Sequence, residues 1–443
     1  MEKGVPEPAD LIIEARWVIP IEPADAVLEH QAIVVSGGRI VAVLPADQAR
    51  RRFAAREGVS LDRHVILPGL VNLHTHAAMA LLRGLADDLP LMTWLTRHIW
   101  PAEGRLMSDE FVHDGTLLAC AEMLRAGITC FNDMYFFPGA TVRAVERAGL
   151  RATVGVIVLT FPTAWAGNVE EYFTRGVAVR DAAGRGSLLR FCLAPHAPYT
   201  VDDAAFAKVR ELSQSWGVPV HVHLQETPDE IGESLTRHGV RPLARLDRLG
   251  LVNERLLAVH AVHLTEEEIA LLAERGAHVA HCPSANLKLA SGIAPVARLL
   301  AAGVNVGVGT DGAASNNRLD VLAELRLAAL LAKATSGDAS AVPAHEALRM
   351  ATIRPARALG LGDEIGSLLP GKSADLTAIA LAGPELEPCY DPASHVVYAA
   401  GREHVTHVWV AGRPVLVDRR LLTIDPDELA GIAERWRPRV KGS

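Results

Sequence analysis

Between residues 66 and 345 the chain alternates short apolar runs with helical patterns. The strand candidates are Val65–Asn72, Ile128–Asp133, Ala152–Leu159, Leu188–Ala194, Val218–Leu224, Leu256–His260, His278–Cys282 and Val304–Gly309. Their spacing leaves room for a crossover helix between parallel neighbours. Several helices carry start and stop signals. Thr265-x-x-Glu268 reads as a capping box ahead of Ile269–Leu272, with Gly276 as the stop. Pro295–Ala302 ends at Gly303, and Ser108 caps a helix that closes at Gly127. Eight such units predict a (β/α)8 TIM-type barrel, whose working end is the C-terminal end of its strands. A doubly wound open sheet gives the same alternation. The barrel is preferred because polar side chains lie at the ends of many strands rather than at one switch point.

The two ends of the chain follow another pattern. Leu11–Ala15, Ala32–Val35 and Arg39–Leu44 read as strands joined by tight turns, as do Ala374–Ala380, His404–Val410 and Arg413–Asp418. Neither end alone buries much surface. The expectation is one small β-sandwich built from both termini, residues 1–66 plus 368–443, beside a catalytic barrel over 67–367.

Composition narrows the class. Of 443 residues 49% are hydrophobic, ample for a large core. The net charge of −8, with no run of like charge, argues against nucleic acid as a partner. No apolar stretch reaches the length of a membrane span, and the opening Met1–Glu7 is acidic with no apolar signal core. Five scattered cysteines without CxxC spacing read as reduced thiols. A cytoplasmic protein is expected, with no membrane partner and a homo-oligomer as the commonest assembly.

The candidate chemistry sits just past the strands. His74 and His76, two apart, can present both imidazoles to one cation. Later strand ends supply His196, then His221, His223 and Glu226, then His260 and His263, then His281, and finally Asp311. Three imidazoles and a carboxylate with one open position make a hydrolytic metal site suited to zinc, although N/O donors also accept iron or manganese. His223, nearer its strand end, is the expected ligand, with His221 a layer deeper. His263 and His281 read as packing residues. His260 is either a core histidine or functional, and the metal context favours function. A bound divalent cation lowers the pKa of its water from about 15.7 toward about 7. Asp311 would orient that water, while Glu226, three residues past His223, is placed to move a proton onto a substrate. No lysine stands at a strand end to bridge two ions, so one metal is expected.

These segments together resemble the amidohydrolase superfamily. The resemblance rests on Pro68–His76, His223–Glu226, His260–Leu264, His281–Leu289 and Gly309–Asn317, and is nearest to the 5-methylthioadenosine/S-adenosylhomocysteine deaminases. It implies that His74, His76, His223 and Asp311 hold a zinc ion. It further implies that Glu226 protonates the purine ring nitrogen beside the amine. His260 and Asp311 would handle the protons of water and ammonia. Glu103 would meet the ribose hydroxyls, and Trp94 and His196 would touch the nucleoside. The resemblance thus implies hydrolytic deamination of an adenine nucleoside.

Some relatives carry arginine near the end of the third strand for the amino-acid carboxylate of S-adenosylhomocysteine. Here Val154–Phe161 is apolar, apart from Thr160. A buried carboxylate without a charged partner is costly, whereas a methylthio group gains from apolar walls. Methylthioadenosine is therefore the expected preference, with Arg83 and Arg151 as the alternative sources of charge. Guanine, a pterin or an s-triazine would be served by the same chemistry, and a metal-free scaffold protein is the remote alternative.

Overall fold

The computed structural model describes residues 6–183 and 188–442, so the first five residues of the acidic opening Met1–Glu7 lie outside the described residues. Four strands come first: β1 (Glu7–Val18), β2 (Leu28–Ser36), β3 (Arg39–Pro45) and β4 (Phe53–Pro68). Eight parallel strands follow: β5 (Leu70–Thr75), β6 (Ile128–Asp133), β7 (Arg151–Val158), β8 (Leu189–Pro195), β9 (Val220–Leu224), β10 (Leu256–His260), β11 (His278–His281) and β12 (Asn305–Val308). The last four are β13 (Leu376–Ala380), β14 (Val405–Val410), β15 (Arg413–Val417) and β16 (Arg420–Leu421).

Strands β5 to β12 pair in sequence order. The ring closes where Asp311 N donates to His74 O at 3.0 Å and Thr310 N donates to Asn72 Oδ1 at 2.9 Å. Gly309 makes that closure feasible, because a Cβ there would stand 2.8 Å from the His74 nitrogen. The expected (β/α)8 barrel is thus present. Its helices start where the sequence signals them. Ser108 Oγ accepts from Phe111 N at 3.1 Å, and Thr265 and Glu268 form the reciprocal box. Each such cap stabilises its helix by about 1 kcal/mol.

The first strand candidate needs correction. Val65–Asn72 is not one strand, because the chain changes sheets at Gly69. Val65–Pro68 pairs with β13, whereas β5 begins at Leu70 and pairs with β6. A Cβ on Gly69 would lie 2.1 Å from Thr129 Oγ1, so only glycine allows this approach to the neighbouring strand.

The terminal strands form one continuous sheet, ordered β16-β15-β14-β13-β4-β1-β2-β3. It curls on itself: Ala374 N donates to Gly38 O and Ile40 N to Lys372 O, both at 2.9 Å. Leu11, Ile13, Ile33, Ile40, Leu376 and Trp409 fill the core it encloses. The long β4, parallel to β1, carries little alternation and was not picked out in sequence. The C-terminal helix Pro426–Lys441 stands apart from this sheet. Trp436 Nε1 and Arg435 Nη2 both donate to Asp114 Oδ2, at 2.8 and 2.6 Å, so the helix packs on the barrel helix Asp109–Arg125. No helix among the described residues is long and apolar enough to cross a membrane.

One buried ion pair joins the two sheets. Arg151, at the start of β7, donates from Nε and Nη2 to both oxygens of Asp375, at 3.0 and 3.1 Å, with side chains 3% and 1% exposed. Removing one partner strands the other charge. Asp375→Ala should therefore cost about 3–5 kcal/mol in denaturant unfolding, and the apolar pair Arg151→Met/Asp375→Leu should cost less.

Candidate active site

The strand ends bring the predicted ligands together. His74 is the penultimate residue of β5 and His76 follows the strand; the Nε2 of each lies 3.3 Å from Asp311 Oδ1. The ligand atoms of His74, His76 and Asp311 fall within 4.8 Å of one another, as do those of His74, His223 and His260. The His74 ring is 4.8 Å from His76 and 5.0 Å from His223, edge-on to both.

The outer partners decide which ring nitrogen faces inward. His76 Nδ1 donates to Met134 O at 2.6 Å and His223 Nδ1 to His196 O at 2.7 Å, leaving both Nε2 lone pairs for the cluster. His74 Nδ1 lies 2.8 Å from His221 Nε2, and His74 Nε2 is buried without a hydrogen bond. That orphaned nitrogen, facing a carboxylate and two more imidazoles, fits a cation better than it fits a packed core. His221 itself lies one layer deeper, as read from sequence. Burial holds His74 at about 3 and His223 well below the usual histidine range, so both stay neutral, as ligands must, and it holds the neighbouring His196 at about 3 as well. Burial alone would raise Asp311, but His74, His76 and His260 hold it ionised, well below the ordinary carboxylate range.

Asp311 Oδ1 accepts from Gly312 N at 2.8 Å and Oδ2 from Ser315 Oγ at 2.7 Å. His260 (φ +68°) and Asp311 (φ +60°) both adopt the left-handed region that non-glycine residues avoid. Strain of about 1–3 kcal/mol per residue is typical where a backbone serves a site.

Glu226 stands beside this cluster. Its Oε2 is 3.7 Å from His260 Nε2, and its Oε1 accepts from Ser291 Oγ at 3.0 Å. Burial raises its carboxyl toward the protonated form. Its backbone is clamped by Glu230, which accepts from Gln225 N and Glu226 N, both at 2.9 Å. His260 Nδ1 is 2.8 Å from Asn286 Oδ1, which turns Nε2 toward Glu226. His263 Nε2 meets the Ser291 carbonyl and His281 is buried outside both clusters, so neither joins the site.

A cavity of about 380 Å³ opens above these groups and also takes in Trp94, Glu103 and His196. Its upper wall is apolar, with Leu91, Trp100, Met107, Leu159 and Phe161 beside Trp94. Within it Glu103 Oε1 accepts from Tyr135 OH at 2.7 Å, and burial raises the Glu103 carboxyl to about 7. No lysine or arginine is among the described lining residues. Arg83 pairs with Glu122, and Arg151 faces Asp375 at the other end of its strand, so neither alternative source of charge reaches the cavity.

Sequence reasoning missed the supporting shell: Tyr135, Glu230, Asn286, Ser291 and Ser315. Glu230 carried a readable signal, since Thr227-x-x-Glu230 has capping spacing directly after Glu226. Asn286 and Ser315 lie inside stretches already singled out for resemblance. Nothing local distinguishes Tyr135.

The sequence model of the Amidohydrolase family matches residues 65–415. The 5-methylthioadenosine/S-adenosylhomocysteine deaminase of Teredinibacter turnerae is 46% identical over 97% of this chain and 98% of its own. A crystal structure of an adenosine deaminase from Xanthomonas campestris, with bound zinc, superposes with a TM-score of 0.98. It is 53% identical and covers 99% of this chain and 100% of that one. Atrazine chlorohydrolase from Arthrobacter aurescens, complexed with zinc, has a TM-score of 0.88 at 25% identity, over 96% and 99% of the two chains. With a family match across most of its length and relatives this similar along the whole chain, the protein belongs to the amidohydrolase family.

Proposed function

We propose that this enzyme hydrolytically deaminates an adenine nucleoside, 5-methylthioadenosine in preference to S-adenosylhomocysteine. The observation that carries the reading is the pairing of two carboxyl groups with different tasks in one cavity: Glu226 beside the histidine cluster and Glu103 in the apolar chamber. The similarity to 5-methylthioadenosine/S-adenosylhomocysteine deaminases supports it.

His74, His76, His223 and Asp311 would hold one zinc ion, the donor set being three imidazoles and a carboxylate. When bound, such an ion acidifies water enough to supply a nucleophile at neutral pH. Glu226, whose carboxyl burial pushes up, donates its proton to the ring nitrogen next to the amine, which makes the adjacent ring carbon electrophilic. The Ser291 hydroxyl fixes the other carboxyl oxygen meanwhile. His260, with Nδ1 held by Asn286, accepts a water proton at Nε2, and Asp311 takes part in passing protons to the departing ammonia.

Glu103 accepts from the ribose hydroxyls while Tyr135 holds it in place. Trp94 and His196 bracket the nucleoside. The apolar chamber then receives the 5′ substituent. It rewards a methylthio group and leaves an amino-acid carboxylate without a cationic partner.

Three outcomes are expected. Treatment with dipicolinate should abolish ammonia release and lower the melting temperature, and one equivalent of zinc per chain, counted by metal analysis, should restore both. kcat/KM for methylthioadenosine should exceed that for S-adenosylhomocysteine by about tenfold or more, the size expected of one unpaired buried charge. Comparable values would overturn the preference. A faster turnover of guanine or an aminotriazine, with Glu103→Ala leaving nucleoside activity intact, would overturn the nucleoside reading itself. The pH profile carries a further sign. The ionised Glu103 accepts two hydroxyl donors better than the acid does, so kcat/KM should fall as pH drops through about 7. Glu103→Gln should remove that part of the wild-type profile.

A further inference from the structure

Lys288 lies in the His281–Leu289 stretch, yet it has no part in the chemistry above. Its Nζ is 2.5 Å from Asp87 Oδ1 and 3.3 Å from Ala314 O, and it also bonds Asn317 Oδ1. Asn317 Nδ2 donates to Asp87 Oδ2 at 3.1 Å, and the Asn317 carbonyl accepts from Arg83. An ammonium has three donors, and here each finds an acceptor. Those acceptors come from the segment after β5 and the loop after β12, while Lys288 itself belongs to the helix Pro283–Lys288 after β11. One side chain thus joins three strand-end loops.

The segment it grips is the start of a strap, residues 83–107, that walls the cavity with Leu91, Trp94, Trp100, Glu103 and Met107. The far end is tied separately, by Arg105 Nη2 to the Val440 carbonyl at 3.1 Å and by Tyr135 to Glu103. Among the described residues, Asp87 is the one side chain between Gly84 and Pro90 hydrogen-bonded to another element. The Lys288 ammonium also holds the Asp87 carboxyl below its usual range. The Lys288 side chain is only 21% exposed and sits in a network of four groups, unlike an isolated surface pair.

We propose that Lys288 is a positioning residue: through Asp87 and Asn317 it sets the strap, and with it Glu103 and the apolar wall, against the bound nucleoside. It governs substrate affinity and leaves the proton transfers at Glu226 and His260 untouched. This rests on the nucleoside reading above.

The test compares metal-loaded wild type, K288M, K288R, D87N and K288M/D87N, using methylthioadenosine kinetics and amide hydrogen exchange of residues 83–107. For K288M, KM should rise about tenfold, equivalent to one cross-linking interaction, with kcat within about twofold and faster exchange across the strap. K288R should lie closer to wild type than K288M. The double variant should be no worse than K288M, because both changes cut the same link. An unchanged KM, a fall in kcat alone, additive penalties or unaltered strap exchange would each overturn the proposal. Should K288M not fold, D87N, at the exposed partner, carries the same comparison. Should wild type deaminate no nucleoside, the functional reading fails, and strap exchange in K288M still decides the role of Lys288.

Discussion

Closure of the barrel between β12 and β5 is the constraint on which the site depends. The bond from Asp311 N to the His74 carbonyl places the carboxylate of the last strand against the imidazole of the first. Residues more than two hundred positions apart thereby share a space of a few ångströms. The bond also explains the left-handed backbone at Asp311, since the chain must turn inward directly after β12 to make it. Gly309 supplies the close approach of the two strands and Asp311 supplies the turn. Neither residue alone would present the carboxylate at the right height.

Around that junction the protein sorts its ionisable groups by environment. Buried His74 and His223 are kept neutral by desolvation, and the outer nitrogen of His223 is committed to the His196 carbonyl. Asp311, equally buried, is kept charged because imidazoles and two donors face it. Glu226, a short distance away, has one hydroxyl donor and drifts toward its acid form. Two carboxyl groups of ordinary intrinsic acidity are thus pushed apart, which is the arrangement acid–base chemistry needs.

Much of this was legible in sequence because its cause is local. Alternation of apolar runs with capped helices is a short-range pattern, so seven of the eight barrel strands were found with both ends within two residues of the observed ones. The first strand failed because Pro68-Gly69 sits inside one apolar run, and the sheet change there depends on Thr129, which no local pattern reveals. The terminal helix Pro426–Lys441 was not read from sequence, and Asp114 and Phe111 on the barrel decide where it packs. In the site, all nine named residues converge, since each stands at a strand end or in a stretch of recognisable motif. The supporting shell was opaque for the opposite reason. Tyr135 and Ser291 matter through distances to Glu103 and Glu226, and those distances exist only after folding.

The pairing of β4 with β13 has a consequence for biosynthesis. Residues 65–68 leave the ribosome roughly three hundred residues before their partners 376–379 exist. Until then the nascent sheet exposes one unsatisfied rim, of the kind that invites pairing with other chains. That rim carries His64 and Arg63 beside its apolar tip, and the acidic Glu57 and Asp62 lie just upstream. Such polar flanks are a known deterrent to intermolecular association while a strand waits for its mate.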